Sequence, residues 1–142
     1  MEIGLQIYVK GSVEAVALYQ EAFDAELGYS FQNDDGTYMH AELSVDGNNL
    51  LAVSEFSAAL GYQFLEKYSP ERYPTMQYSV TLKEKEAVNK AFDVLSVNGI
   101  VLHPVGKFPW SDCCAGVVDR FGVSWYITVP GHRPDDDELG IE

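Results

Sequence analysis

An internal repeat constrains this chain more than any other feature. Glu14-Ala15-Val16 recurs as Glu86-Ala87-Val88, an offset of 72 residues in a chain of 142. Each copy opens a segment with apolar residues at helical spacing. These are Val13, Val16, Tyr19, Ala22 and Phe23 in the first, and Ala87, Val88, Ala91, Phe92 and Leu95 in the second. Ser12 is the expected N-cap of the first helix, and Asn98-Gly99 the expected stop of the second. An alternating strand precedes each helix, at 5–9 and 76–82. Three strand candidates follow each: 25–33, 37–45 and 48–54, then 100–106, 112–119 and 123–129. Asp34-Asp35-Gly36 and Asp46-Gly47-Asn48 supply turns between them. The order βαβββ, present twice, predicts an α+β domain built by duplication.

Residues 56–73 stand outside the repeat. Ser57 to Tyr68 can form a short helix, and Pro70 and Pro74 frame an extended approach to the next strand. The segment reads as a connector between a first module over 1–55 and a second over 74–130, together one domain over 1–130. Residues 131–142 carry five acidic residues and one Arg, and are expected to form a mobile acidic tail.

Composition narrows the function classes. Hydrophobic residues make up 46% of the chain and charged residues 22%, enough apolar mass for a core. Nine basic against 22 acidic residues give a formal charge of −13, which repels phosphate backbones and anionic lipid. Neither nucleic-acid nor membrane binding is expected. No apolar run approaches the ~20 residues of a membrane span, and Met1-Glu2-Ile3-Gly4 lacks the basic start of a signal peptide, so a cytoplasmic location is expected. Cys113 and Cys114 are adjacent, where a disulfide would be strained, and no CxxC spacing suggests zinc. The pair reads as two small strand residues with at most one facing a cavity, a redox or nucleophilic thiol being the alternative. No GxSxG, GxGxxG, HExxH or Walker-type sequence is present.

The period of two separates the strand faces. Leu5, Ile7 and Val9 oppose Gln6 and Tyr8, and Met39, Ala41, Leu43 and Val45 oppose Tyr38, His40, Glu42 and Ser44. Leu51 and Val53 oppose Leu50, Ala52 and Ser54. Met76, Tyr78, Val80 and Leu82 oppose Gln77, Ser79 and Thr81, and Val123, Trp125, Ile127 and Val129 oppose Ser124, Tyr126 and Thr128. One face of each strand can carry a helix. The other is mild, with Gln, Ser, Thr, Tyr and a single charge at Glu42, as in the wall of a cavity for an organic molecule. An ordinary half-solvated sheet is the alternative.

Several phrases carry a family resemblance. Glu14-Ala15-Val16-Ala17-Leu18-Tyr19-Gln20-Glu21-Ala22-Phe23 with Ala25-Glu26, and Met39-His40-Ala41-Glu42-Leu43, are two of them. Phe108-Pro109-Trp110-Ser111-Asp112 and Asp119-Arg120-Phe121-Gly122-Val123-Ser124-Trp125 are the others. Over about residues 3–130 the chain resembles the vicinal oxygen chelate superfamily of glyoxalase I, bleomycin-resistance proteins, fosfomycin-resistance enzymes and extradiol dioxygenases, and within it the PhnB-like subgroup. The family usually has Pro where this chain has Arg120, a departure that affects a turn. The resemblance implies two βαβββ modules curved into a cupped, eight-stranded mixed sheet with helices outside. It also implies a tendency to dimerise.

Metal-dependent members of that superfamily place His, Gln or Glu on the first and last strands of each half, where a metal polarises two vicinal oxygens. By the matching phrases those positions fall at Gly4, about Ala52, Gln77 and Tyr126. Gly and Ala offer no donor atom and Tyr is a rare ligand, so no bound divalent metal and no other cofactor is expected.

The expected ligand contacts are Gln6, Tyr8, His40, Gln77, Trp110 and Tyr126. His40 and Glu42 share one strand face and form a candidate acid/base pair, since an imidazole titrates near neutral pH. Their alternative is a histidine bonded to a neighbouring strand beside a solvated carboxylate. Trp110 either stacks on a planar or cationic ligand or fills core space. Trp125 reads as core, His103 as structural or solvent-exposed, and His132 as part of the tail.

The functional expectation is a metal-free, PhnB-like protein that binds a small organic ligand. The acidic surface would favour a cationic one, as in resistance by sequestration. The alternative is a lyase or isomerase of the glyoxalase type using His40 and Glu42, with or without a divalent metal. No nucleotide-binding motif supports a methyltransferase. Phe56, Leu60, Tyr62, Phe64, Leu65, Tyr68 and Tyr73 give the connector more apolar surface than one short helix needs, which predicts a homodimer with 56–73 and Trp110 beside its interface. A lid formed by the same segment is the alternative.

Overall fold

The structure, a computed structural model, describes residues 1–57, 74–135 and 140. The connector from residue 58 onward, and with it the short-helix, interface and lid readings, lies outside the described residues. The chain divides into two compact units, Met1–Ser69 and Pro70–Glu142.

The first unit contains β1 (Gln6–Val9), α1 (Ser12–Phe23), β2 (Glu26–Gln32), β3 (Tyr38–Val45) and β4 (Asn48–Glu55). Its sheet has the order β1-β4-β3-β2, with β1 parallel to β4 and the other pairs antiparallel. The second unit repeats the pattern with β5 (Tyr78–Thr81), α2 (Lys85–Leu95), β6 (Ile100–Phe108), β7 (Ser111–Val118) and β8 (Ser124–Thr128). Its order is β5-β8-β7-β6, with β5 parallel to β8. The duplicated βαβββ order read from the repeat is thus present as two four-stranded mixed sheets with one helix each.

In each unit the helix covers the apolar face of its own sheet. Ala15, Val16, Leu18, Tyr19, Ala22 and Phe23 are buried on α1, against a sheet whose Ala41, Leu43, Leu51 and Val53 are also buried. Val88, Ala91 and Leu95 on α2 do the same with Ala115, Val117, Trp125 and Ile127. Each fully buried Leu, Val or Ile contributes roughly 1.5–3 kcal/mol, so these stripes hold each helix in place. Strand parity is not followed throughout: Met39 and Met76 are exposed although they sit on the apolar side, and Leu50, Ser54, Ser124 and Thr128 are buried although they sit on the mild side.

The start of α1 differs from expectation. Gly11, at a left-handed φ of 96°, is the cap residue of α1, and Ser12 is the first helical residue. The missing capping oxygen comes from Glu55 at the end of β4. Its Oε1 accepts from Ser12 N at 2.9 Å and Ser12 Oγ at 2.8 Å, and its Oε2 accepts from Gly11 N at 3.0 Å. A carboxylate suits a helix N-terminus, where unpaired amides carry partial positive charge. After α2 it is Asn98 that takes the left-handed conformation, φ 57°. Gly99 is needed for space, since a Cβ there would lie 2.4 Å from the Val118 carbonyl oxygen.

The Asp119–Trp125 phrase builds the β7–β8 turn. Asp119 is fully buried, with Oδ1 accepting from Phe121 N at 2.8 Å and Val123 N at 3.1 Å, and Oδ2 from Trp125 Nε1 at 2.8 Å. Trp125 is core, as expected. Arg120 is exposed in the turn, its guanidinium 5.1 Å from the Phe121 ring centroid.

Candidate functional site

Because the helices occupy one face of each sheet, the strand-borne candidates lie on the faces opposite the helices, with Trp110 in the turn between β6 and β7. Each face is a property of its own unit.

On the first sheet, register places Gln6, Ala52 and Glu42 in one row across β1, β4 and β3. Gln6 Nε2 donates to Ser54 Oγ and to the Ile7 carbonyl oxygen, both at 2.9 Å, which fixes the amide in the sheet surface. Tyr8 lies two residues further along the same face. His40 pairs with Phe31 on β2, and His40 Nε2 lies 3.3 Å from Glu42 Oε2. A register shift between Leu27 and Ser30 leaves Tyr29 beside this pair. Its ring centroid is 5.9 Å from Phe31 and 6.0 Å from His40, and Phe31 is 6.5 Å from His40. Reading by residue type singled out His40 and Glu42 and missed Tyr29 and Phe31. Their alternation in β2 was a visible signal, but a bulge decides which face such residues occupy.

On the second sheet one row runs across all four strands: Ser79, Tyr126, Gly116 and His103. A Cβ at Gly116 would lie 2.9 Å from His103 Cδ2 and Nε2, so any larger residue there would displace the imidazole. The imidazole therefore leans over the glycine toward Tyr126, at 6.1 Å between ring centroids, and meets Phe108 edge-on at 5.0 Å. Phe108 stacks on Trp110 at 5.2 Å and 25°, and Trp110 Nε1 donates to Tyr126 Oη at 2.7 Å. The fold thus brings Trp110 and Tyr126 together and adds Phe108 and His103. His103, expected to be structural or solvent-exposed, is half-buried in this cluster, and its Nδ1 is buried with no hydrogen-bond partner among the described residues. A glycine inside a strand was the signal that could have found it.

Burial pushes the Tyr126 phenol above its ordinary 10.0; the Cys114 thiol acts in the same direction and the Trp110 N–H opposes it. Both cysteines are free and buried, and burial likewise raises the Cys113 thiol, which disfavours the thiolate a nucleophile needs. Gln77 is exposed and precedes β5 rather than pairing in it. His132 lies in the segment after β8, where its backbone N–H bonds to the Trp110 carbonyl oxygen. A surface depression of about 360 Å³ at the start of α2 is lined by Lys83, Glu84, Lys85, Glu86, Asp112, Val129 and Pro130, and holds none of the expected contacts.

The donor set does not fit a superfamily-type metal. Gly4 and Ala52 offer no side-chain donor, Gln77 is outside the ladder, and the Tyr126 hydroxyl already accepts from Trp110. Among the described residues no group of three or more His, Cys, Asp or Glu could hold a metal ion.

No family profile and no curated protein matches the sequence. Solved structures do. A PhnB protein of Bacillus cereus, provisionally described as a 3-demethylubiquinone-9 3-methyltransferase, superposes with a TM-score of 0.71 at 23% identity, over 91% of this chain and 99% of that one. A Pseudomonas aeruginosa protein gives 0.71 at 23% identity, over 92% and 98%. A glyoxylase/bleomycin resistance protein/dioxygenase domain from Frankia gives 0.66 at 11% identity, over 92% and 97%. The chain therefore has the fold of the vicinal oxygen chelate superfamily, PhnB-like proteins included.

Proposed function

We propose that this chain binds a small organic ligand on the sheet faces opposite its helices without a divalent metal, in the manner of PhnB-like and resistance-type proteins that act by capture. The observation that carries this reading is the chemistry of those faces. Each combines aromatic rings with hydrogen-bonding groups on rigid strands, while two of the four positions that would hold a metal, Gly4 and Ala52, offer no side-chain donor. The formal charge of −13 favours a cationic ligand over an anionic one. Among the described residues no helix is long and apolar enough to cross a membrane, and the two free thiols suit a reducing compartment, so the cytoplasm is the proposed location. Assembly as a homodimer through 56–73 belongs to the same proposal. Sedimentation equilibrium at micromolar concentration checks it, and a mass of one chain removes it.

A thermal-shift screen with cationic glycopeptides, quinones, thiol conjugates and divalent metals tests the function. Stabilisation by an organic compound in the presence of a chelator is the expected result. One equivalent of zinc, nickel or manganese retained through desalting would overturn the metal-free reading.

The 3.3 Å approach of His40 to Glu42 favours a second reading, a lyase or isomerase in which this pair moves a proton on a bound carbonyl compound. Turnover of a ligand found in the screen, lost in His40→Gln, would select it.

A further inference from the structure

We propose that the face of the first sheet opposite α1 selects organic ammonium cations, held at the exposed cluster of Tyr29, Phe31, His40 and Glu42. This rests on the ligand-binding function proposed for the chain, and names the ligand class and the strand residues that choose it.

Three rings and a carboxylate converge on one patch of β2 and β3. Tyr29, Phe31 and His40 lie with centroids 5.9–6.5 Å apart, and the Glu42 carboxylate is 3.3 Å from the imidazole. Tyr29 is 67% exposed, Phe31 43% and the Glu42 side chain 50%, so aromatic faces and a negative charge are presented together. Aromatic faces attract cations through their quadrupole, and a desolvating ring beside a carboxylate strengthens the attraction.

Charge complementarity identifies the occupant. The four strands of the first sheet contain Glu26, Glu42 and Glu55 and no Lys or Arg. Residues 1–57 hold ten acidic residues and a single basic one, Lys10. Lys10 itself places its ammonium 5.2 Å from the Phe56 ring centroid, the same kind of contact made within the chain. An anionic ligand would meet uncompensated repulsion here, and a neutral one would use the rings but not the charge. Among the described residues, the second sheet's cluster of Phe108, Trp110 and Tyr126 meets rings and a hydroxyl rather than a carboxylate, so discrimination by charge falls to the first.

The test is a titration of the ¹⁵N-labelled full chain with choline and with 3,3-dimethylbutan-1-ol, its uncharged isostere, followed by amide shifts. Choline is expected to give saturable shifts confined to 26–32 and 38–45. The alcohol should bind at least about fivefold more weakly. Glu42→Gln and Phe31→Leu should each weaken choline about two- to fivefold, and Tyr29→Leu with Phe31→Leu more than either alone. All three positions are exposed, and unchanged thermal midpoints establish that the variants fold. Equal binding of the alcohol, shifts centred on 100–128, insensitivity to these variants, or no choline shift would each overturn the inference. A neutral organic ligand found in the thermal-shift screen alongside any of these results would leave the ligand-binding function standing, whereas a screen without any organic ligand would remove both.

Discussion

Trp110 donates its indole N–H to the Tyr126 hydroxyl at 2.7 Å, 16 residues away in sequence, while its ring stacks on Phe108. The other tryptophan, Trp125, is fully buried against Asp119. The two indoles therefore report on different places: one in the β6–β7 turn against Tyr126, one in the core of the second unit.

Removing the acceptor in Tyr126→Phe should free Trp110. Its emission is expected to shift to the red and acrylamide quenching to rise, with a stability loss of about 1 kcal/mol or less because water can replace the bond. Trp110→Phe should abolish most quenching, leaving the protected Trp125. Unchanged quenching in Tyr126→Phe would show that the stack on Phe108 alone holds the indole.

Burial raises the phenols of Tyr78 and Tyr126 above 10.0. The folded chain thus holds these protons more tightly than the unfolded chain. Their contribution to stability is complete below about pH 9 and is lost as pH rises past 10 through the folded values. Urea midpoints should fall beyond pH 10, and a phenolate titration at 295 nm should show a late fraction among the nine tyrosines. A single transition at the ordinary value would contradict this.

Gly116→Ala drives a methyl into the His103 ring, at 2.9 Å. A destabilisation of about 1–3 kcal/mol is expected, as for other overpacked sites. Most of that cost should vanish in a His103→Ala background, so a double-mutant cycle by urea unfolding should give a coupling of at least about 1 kcal/mol. Additive effects would mean that the imidazole yields freely.

Glu55→Ala removes three hydrogen bonds at the start of α1 and is expected to cost about 2 kcal/mol. Glu55→Gln keeps an acceptor oxygen and should cost less. Equal losses in the two variants would show that charge, rather than geometry, stabilises that helix end.

Asp119→Asn replaces an acceptor-only carboxylate that serves Phe121 N, Val123 N and the Trp125 indole with an amide that, if its oxygen keeps the two backbone donors, turns its –NH2 on the indole N–H. A loss of about 2–4 kcal/mol is expected by chemical denaturation, with the Trp125 emission shifted.

Element order, strand faces and most of the core were legible in the residues themselves. Apolar periodicity is a local signal, and burial follows it wherever a helix can lie on a sheet: Leu43, Val53, Trp125 and Ile127 were all readable in this way. The pairing of His40 with Glu42 was legible for the same reason, since two residues on one strand share a face regardless of what surrounds them. Contacts between distant residues were not. That Glu55 rather than Ser12 caps α1, that a bulge brings Tyr29 and Phe31 beside His40, and that His103 fills the notch over Gly116 all depend on strand register. Register is set by the packing of a whole sheet against its helix, and no short stretch of sequence contains it. The amino-acid sequence by itself therefore determined which modules form and which faces they bury, and the tertiary structure decided which side chains meet on the faces left open.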